Sequence, residues 1–182
     1  IGRRKNRRDR PGRALEWGYP IAFDCVADFG IYRDLHRERM KTQIRQFLTT
    51  RLGYVIPDEF EAIKAADSLI QCYERSADLY EDIRKKIGRE VAQYVVLFGH
   101  KMRWYQGENF REALHEIELR TTPQGHPSYR KVCQKMCRLL EERDPFLAKM
   151  FTFVDYQEYF WSRAESEAKQ RAREAKYNAS KT

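Results

Sequence analysis

The chain has 182 residues, a length typical of one domain built around a single core. Lys and Arg number 35 against 27 Asp and Glu, which gives a formal net charge of +8. The excess lies at the ends, because residues 1–13 carry seven cations and one anion and residues 162–182 carry six cations and three anions. A nucleic-acid groove needs Lys and Arg clustered on the folded surface, so the nearly neutral body argues against nucleic acid as the main partner.

The composition also argues against a membrane-spanning or secreted protein. No apolar run approaches the roughly 18 residues that a membrane span requires, and no apolar segment follows the charged N-terminus as in a secretory signal. The four cysteines are too few for a disulfide framework, and Cys133 and Cys137 lack the second pair of ligands that a metal needs. We therefore expect a cytoplasmic protein with reduced thiols, no membrane contact and no metal site.

The first third of the chain predicts an arm, a strand and a helix. Residues 1–13 combine charge with Gly and Pro and show no apolar periodicity, which is typical of a basic linker or arm. Residues 21–29 are rich in aromatic and β-branched types and predict a strand that ends at Gly30. A helix from Tyr32 to about Leu48 should follow, because apolar residues recur there at helical spacing: Leu35, Met40, Ile44 and Phe47.

The middle of the chain predicts a long helix and then a second strand. Gly53 ends the preceding helix, and Pro57 opens a helix whose apolar residues keep a 3/4 spacing from Phe60 to Ile87. Residues 91–104 contain a helix followed by a strand, and the pattern leaves the boundary between them open.

The last third predicts two helices separated by a stiff loop. Asn109 is suited to cap a helix that ends near Leu119, with Glu112 completing a capping box. Residues 121–127 hold two prolines and one glycine, and a helix should run from there to about Glu142. Asp144-Pro145 separates this helix from an apolar segment at 146–154.

These elements predict an α/β (α+β) fold that is rich in helices and contains a small sheet and long helices. We expect three parts along the chain: the basic arm at 1–13, a folded domain at 14–156, and a charged C-terminal helix and tail at 157–182.

The segment from Tyr32 to Met40 is the first candidate for chemistry. On a helix, Arg33 and Arg37 share one face, while His36 and Arg39 share a neighbouring one. Paired arginines can bind a phosphate in a bidentate manner. The alternative is a solvated face on which Arg33, Asp34 and Glu38 neutralise one another.

The segment from Asn109 to Arg120, with the loop that follows, is the second candidate. It offers hydrogen-bond donors at Asn109, Arg111 and Arg120, and it also holds the imidazole rings of His115 and His126. The alternative is structural, with Asn109 as a cap and the histidines as ordinary surface or loop residues. No Ser or Cys has the neighbouring base that a catalytic nucleophile needs. The aromatic residues from Tyr94 to Tyr105 are typical of a core.

Four motifs follow one another in a recognisable order. A strand around Phe23 leads to Arg37-Glu38-Arg39, a short helix at 92–95 leads to an aromatic strand at 101–105, and Asn109-Phe110-Arg111 precedes Leu119-Arg120. This order resembles the flavin-dependent thymidylate synthases, the ThyX-like family, with its Arg-His-Arg, Asn-x-Arg and Leu-Arg motifs. The resemblance covers about residues 14–153 and is greatest to one domain of the long bacterial members that carry two such domains in tandem.

The resemblance implies a helix-rich ThyX-like fold that binds FAD and a nucleotide and assembles as a homo-oligomer or with a tandem partner domain. NADPH would reduce the flavin, methylenetetrahydrofolate would supply the one-carbon unit, and dUMP would be methylated without an enzyme nucleophile. The implied FAD contacts are Arg37, Glu38, Arg39, Asn109, Arg111 and His115. The implied substrate contacts are Asp34, Arg37, Gln93 and Arg120, and Arg120 is the implied catalytic residue, because it binds uracil and favours ionisation of the ring nitrogen.

Several positions differ from the family pattern. Glu38 stands where the family has a central His, and the Ser-x-Arg that binds dUMP falls at Phe47-Leu48-Thr49. Gln93 occupies the position of a phosphate-binding arginine. Lys41 and Arg45 are the nearby cations that can replace the lost ones.

Three functions therefore stay open. The retained Asn109, Arg111 and Arg120 favour methyl transfer to dUMP. The lost Ser-x-Arg favours a non-catalytic domain that binds flavin or serves subunit assembly. A helical adaptor whose basic arm binds nucleic acid is the third alternative.

Overall fold

The computed structural model describes residues 4–9, 21–159, 167, 168, 170–172 and 177. They belong to two compact units: the sheet unit, Pro20–Glu108, and the helical unit, which combines Ile1–Tyr19 with Asn109–Thr182. Within these described ranges, no helix is both long enough and apolar enough to cross a bilayer.

The sheet unit contains a three-stranded antiparallel sheet in the order β1-β3-β2. β1 spans Ile21–Asp28, β2 spans Lys41–Arg45 and β3 spans Lys101–Glu108. Because successive side chains of a strand point to opposite faces, every second residue of the central strand β3 is buried: Met102, Trp104, Gln106 and Glu108. The opposite face carries exposed side chains, among them Tyr105 between Asp24 of β1 and Ile44 of β2.

Four helices and a 3-10 turn complete the sheet unit. They are α1 (Phe29–Leu35), α2 (Asp58–Ala62), α3 (Ala66–Lys86), α4 (Arg89–Ala92) and the 3-10 helix Gln93–Val95. α1 begins directly after β1 because the Asp28 side chain accepts a hydrogen bond from the backbone N–H of Ile31 at 2.8 Å. α3 packs against the 3-10 helix, where the Ser76 hydroxyl donates to the carbonyl of Val95 at 2.6 Å.

The helical unit is built around α5 (Phe110–Arg120), α6 (Pro127–Arg143) and the short α7 (Pro145–Ala148). Asn109 caps α5, since its side chain accepts from the backbone N–H of Glu112 at 2.9 Å. The core consists of apolar side chains from α5 and α6 together with Phe151: Phe110, Ala113, Leu114, Ile117, Cys133, Met136, Cys137 and Leu140. The predicted cap, the loop after α5 and the helix that begins at Pro127 are all confirmed.

The predicted fold class is confirmed, but the helix expected from Tyr32 to Leu48 is wrong. α1 ends at Leu35, and residues 41–45 form β2 instead. Of the apolar stripe that suggested a helix only Leu35 is buried, since Met40 is 74%, Ile44 68% and Phe47 42% exposed. Backbone pairing with β3 decided the structure here, since the local preference for helix is weak compared with a ladder of inter-strand hydrogen bonds.

The single helix expected from Phe60 to Ile87 is also wrong, because it is two helices. α2 ends at Ala62, and Lys64 adopts a left-handed conformation with φ 56° before α3 begins. The backbone N–H of Ala65 donates to the carbonyl of Phe60 at 2.8 Å, as in a helix C-cap that closes with a left-handed residue. The apolar segment 146–154 likewise yields only the four-residue helix α7.

The N-terminal segment holds a residue that composition did not predict to be buried. The Arg4 guanidinium forms an ion pair with Glu118 of α5, and their side chains are 6% and 1% exposed. Arg4 also lies over the ring of Phe153 at 5.1 Å. Most of the charged helix expected at 157–176 lies outside the described residues, and the three-part division of the chain stays a prediction.

Candidate functional site

The sheet unit contains an open cleft of about 560 Å³. Its walls come from α1, the end of β2, and the segment from α4 to the 3-10 helix: Phe29, Tyr32, Arg33, His36, Arg45, Leu48, Glu90, Gln93 and Tyr94. Such a size and such a mixture of aromatic rings and cations suit a small anionic ligand with a flat ring.

One face of α1 forms the first wall. Phe29, Tyr32 and Arg33 of α1, with His36 as its C-cap in a helical conformation, follow the i, i+3, i+4, i+7 spacing that places side chains on one helical face. The rings of Tyr32 and His36 are stacked with centroids 5.4 Å apart, and His36 Nδ1 donates to the carbonyl of Arg33 at 2.7 Å. The imidazole is therefore held in one orientation, which leaves Nε2 as its nitrogen for a ligand.

The charges of the cleft are mostly positive. The Arg33 guanidinium lies over the ring of Phe98 at 4.8 Å, a packing that orients the charge without neutralising it. The Glu90 carboxylate already has a cationic partner, since it accepts a hydrogen bond from Arg89 Nε at 3.2 Å. The backbone N–H of Glu90 itself is the main cause that lowers the pKa of this carboxyl below its usual value, and the hydrogen bond from the Arg89 side chain lowers it further, so the carboxylate stays ionised. Arg33 and Arg45 then supply the cations that a bound anion would meet.

Gln93, an expected substrate contact, lines the cleft but also has a structural task. Its Oε1 accepts from the backbone N–H of Leu48 at 3.0 Å, and its Nε2 donates to the carbonyl of Glu90 at 3.3 Å. Gln93 therefore ties the chain after β2 to the beginning of the 3-10 helix. One hydrogen on Nε2 is left for a ligand.

The other candidates of the sheet unit lie near the cleft in sequence but outside its lining. Asp34 is a half-buried residue of α1. Arg37, Glu38 and Arg39 occupy the turn between α1 and β2, where both arginines are exposed. Arg33 and Arg37 do not share a helical face, because α1 has already ended at Leu35.

The candidates of the helical unit lie on α5, at its N-cap or, in the case of His126, at the N-cap of α6. Asn109 is the N-cap, Arg111 is half-buried, and His115 is exposed one turn further on. Arg111 and His115 therefore share a face at i, i+4 spacing. Arg120 is the last residue of α5, and its guanidinium lies 5.8 Å from the centre of the Tyr129 ring of α6. His126 caps α6 by accepting from the backbone N–H of Ser128 at 3.3 Å.

The sequence alone did not identify the aromatic residues of the cleft as candidates. Tyr94 was expected in the core, but it is 90% exposed. The spacing of Phe29, Tyr32, Arg33 and His36 was the signal that could have revealed the first wall. Within the described part of the chain, no three His, Cys, Asp or Glu side chains are grouped so that they could hold a metal ion.

Comparison with known proteins identifies the fold. The model of the family described as "Thymidylate synthase complementing protein" matches residues 15–146. A crystal structure of the UMP/dUMP methylase PolB from Streptomyces cacaoi bound with 5-Br dUMP superimposes with a TM-score of 0.62 and 21% sequence identity, over 73% of this chain and 71% of that one. At this identity the superposition shows a shared fold, and the predicted resemblance is confirmed.

Curated relatives are much longer than this chain. A UPF0159 protein of Chlamydia muridarum is 38% identical over 169 residues, which are 93% of this chain and 32% of the relative. A UPF0159 protein of Thermoplasma acidophilum is 30% identical over 91% of this chain and 33% of its own length. The chain therefore spans about a third of the length of the curated relatives that it matches.

Proposed function

The chain belongs to the thymidylate synthase complementing protein family, and from this premise we propose that it takes part in flavin-dependent methylation of dUMP. The observation that carries the proposal is the cationic cleft of the sheet unit, lined by aromatic rings. The UMP/dUMP methylase of the same fold binds a brominated dUMP, which supports a uracil nucleotide as the ligand.

We assign the nucleotide phosphate to the cleft cations Arg33 and Arg45. Arg45 is an exposed residue at the end of β2, and Arg33 faces the cleft from α1. Guanidinium groups bind phosphate through two parallel hydrogen bonds, and each such charge-assisted bond contributes about 1.5–3 kcal/mol. These two residues would take over the task of the family arginines that Thr49 and Gln93 replace.

Arg120 is the residue that we assign to the uracil ring. A cation beside the ring stabilises the negative charge that develops on an oxygen or nitrogen of the ring in the transition state. Arg120 is suited to this task because it ends α5 just before the loop with Pro123 and Pro127, and its guanidinium rests on the Tyr129 ring.

The residues assigned to FAD fit its diphosphate by their chemistry. Arg37 and Arg39 are exposed guanidinium groups two residues apart, and Arg111 and His115 share a face of α5. Bound FAD would supply hydride transfer, with NADPH as the reductant and methylenetetrahydrofolate as the carbon donor. The chain's own task is to bind and orient the diphosphate, and Arg37→Ala and Arg111→Ala should each weaken FAD binding at least about tenfold.

The proposed function is tested by tritium release from labelled dUMP in the presence of FAD, NADPH and methylenetetrahydrofolate. Arg45→Ala and Arg33→Ala should each raise the Kd for dUMP about tenfold or more, because each removes a charge-assisted contact. Arg75→Ala is the matched control, since Arg75 is an exposed cation of α3 outside the cleft lining. Equal affinities in all three variants would contradict the assignment of the cleft.

A non-catalytic domain is the second candidate, and one contact favours it. Phe47 stands where the family has serine, and its ring contacts the Arg89 guanidinium at 4.4 Å, so it offers no hydroxyl to a nucleotide. Such a domain would bind flavin and show an absorbance band between about 350 and 500 nm, but it would release no tritium from dUMP.

A further inference from the structure

The loop that follows Arg120 is held by one buried side chain of α6. Arg130 is 2% exposed, and its Nε donates to the carbonyl of Thr121, the residue next to Arg120, at 2.9 Å. A second nitrogen of Arg130 lies 3.4 Å from the carbonyl of Asp155 and 3.5 Å from the carboxylate of the same residue. Arg130 is thus engaged within the protein and buried, which makes it a support rather than a ligand-binding group.

Two hydrogen bonds of its hydroxyl also hold Thr121 in place. Its hydroxyl donates to the carbonyl of Ile117 at 2.8 Å and accepts from the backbone N–H of Asp155 at 3.3 Å. Gln134 of α6 also donates to the carbonyl of Asp155 at 2.8 Å. The end of α5 therefore has little freedom to fray, although helix ends commonly do.

Tyr129, the neighbour of Arg130, contacts the side chain of Arg120 itself. The Arg120 guanidinium lies 5.8 Å from the centre of the Tyr129 ring, within the range of a cation–π contact. The ring therefore restricts where the guanidinium can lie.

The absence of a side chain at Gly125 lets Tyr129 and Arg130 pack closely against the loop. A Cβ atom at position 125 would lie 2.8 Å from Tyr129 Cε2 and 2.9 Å from Arg130 Cγ. Gly125 is buried and has no left-handed conformation that would demand glycine. Glycine is needed here because two side chains of α6 approach the loop closely.

We propose that Tyr129 and Arg130 are positioning residues for Arg120, and that Gly125 allows both side chains to pack against the loop that follows it. This inference rests on the proposed role of Arg120 at the uracil ring. Tyr129 orients the guanidinium through its ring face, and Arg130 anchors the backbone carbonyl that follows Arg120. A positioned cation contributes more as negative charge develops, so loss of position should lower kcat more than it raises KM.

The test compares Tyr129→Leu with Tyr129→Phe in the full chain. Tyr129→Leu should lower kcat for dUMP methylation about fivefold to tenfold, because the cation–π contact is lost, while Tyr129→Phe keeps the ring and stays within about twofold. In an Arg120→Ala background, Tyr129→Leu should cause no further loss, since the effect acts through Arg120. An equal loss in both backgrounds, or an equal loss for Phe and Leu, would overturn the proposal.

A second measurement is independent of turnover and separates this inference from the proposed function. Nitrogen-15 relaxation should show that the Arg120 Nε–H group moves little in the wild type and in Tyr129→Phe. The same group should be mobile in Tyr129→Leu, Arg130→Lys and Gly125→Ala. A wild type without activity on dUMP would end the proposed function, whereas an Arg120 signal that is equally rigid in all variants would end the positioning role.

Discussion

At the residue scale, the clearest case of a side chain shaped by its environment is His100. Its side chain is 1% exposed and packs edge-on against the rings of Tyr54 and Tyr73. Nδ1 accepts from the backbone N–H of Leu97 at 3.1 Å, so the neutral ring carries its proton on Nε2. Burial lowers the pKa of His100 below its ordinary value of 6.5, because the charged form is poorly solvated there.

His100 should therefore make the free energy of unfolding depend on pH. The unfolded state binds a proton at His100 more readily than the folded state does. The stability that the neutral, buried ring allows is therefore fully present above about pH 6.5, and it is lost as the pH falls through the lowered pKa of the folded state. Urea denaturation at pH 7.5 and at pH 5.5 should show a smaller pH dependence for His100→Gln than for the wild type. The same pH dependence in both proteins would contradict this account.

Gly99, next to His100, is required by a close approach of Tyr73. A Cβ atom at position 99 would lie 1.8 Å from the Tyr73 hydroxyl oxygen, which itself donates to the carbonyl of Val55 at 3.1 Å. Gly99→Ala should reduce the free energy of unfolding by about 1–3 kcal/mol through overpacking. Gly107→Ala is the control, because the nearest atom to its added Cβ is 4.0 Å away, and it should change little. Thermal unfolding of the two variants measures the difference.

At the element scale, helix α5 depends on a partner that is distant in sequence. Glu118 of α5 accepts from the Arg4 guanidinium and from the backbone N–H of Phe153 at 3.3 Å. A buried carboxylate of this kind is tolerated only while its partners remain in place. The N-terminal segment at 4–9 thus contributes to the stability of the helix that carries Arg111, His115 and Arg120.

Removal of one partner of this ion pair should cost more than removal of both. Arg4→Met leaves a buried charge at Glu118 and should lower the free energy of unfolding by about 3–5 kcal/mol. The double variant Arg4→Met with Glu118→Leu should recover most of that loss, because no unpaired charge remains buried. Urea denaturation followed by circular dichroism measures both, with Arg8→Met as an exposed control. A double variant no more stable than Arg4→Met would refute this explanation.

At the scale of the whole molecule, the described surface carries several large aromatic side chains. Tyr94 is 90%, Phe98 is 55% and Tyr105 is 49% exposed. Trp104 and Phe151, by contrast, lie in the interior, where they are 1% and 7% exposed. Exposed aromatic residues in this number are typical of surfaces that bind a ligand or another subunit.

We therefore expect the chain to self-associate, as the resemblance to oligomeric enzymes implies. Sedimentation velocity at micromolar concentration should show a species larger than a monomer. The association should persist at about 0.5 M salt, since an apolar interface is screened much less than a charged one. A monomer at every concentration would contradict the prediction.

The sequence by itself determined features that depend on neighbouring residues. Asn109 could be recognised as a cap, and residues 121–127 as a stiff loop, because both follow from side-chain chemistry within a few positions. The order of the motifs around Arg37, Asn109 and Arg120 was also readable without a structure, and it identified the family.

Only the tertiary structure decided the features that join distant residues. β2 became a strand because β3, about sixty residues further along the chain, offered a hydrogen-bonding edge that no local pattern shows. Gln93 joins two walls of the cleft by bonding Leu48, which lies 45 residues away, and Arg4 pairs with Glu118 across 114 residues. Helical spacing describes one element at a time, whereas these contacts arise only when separate elements pack together and bury polar groups that need partners.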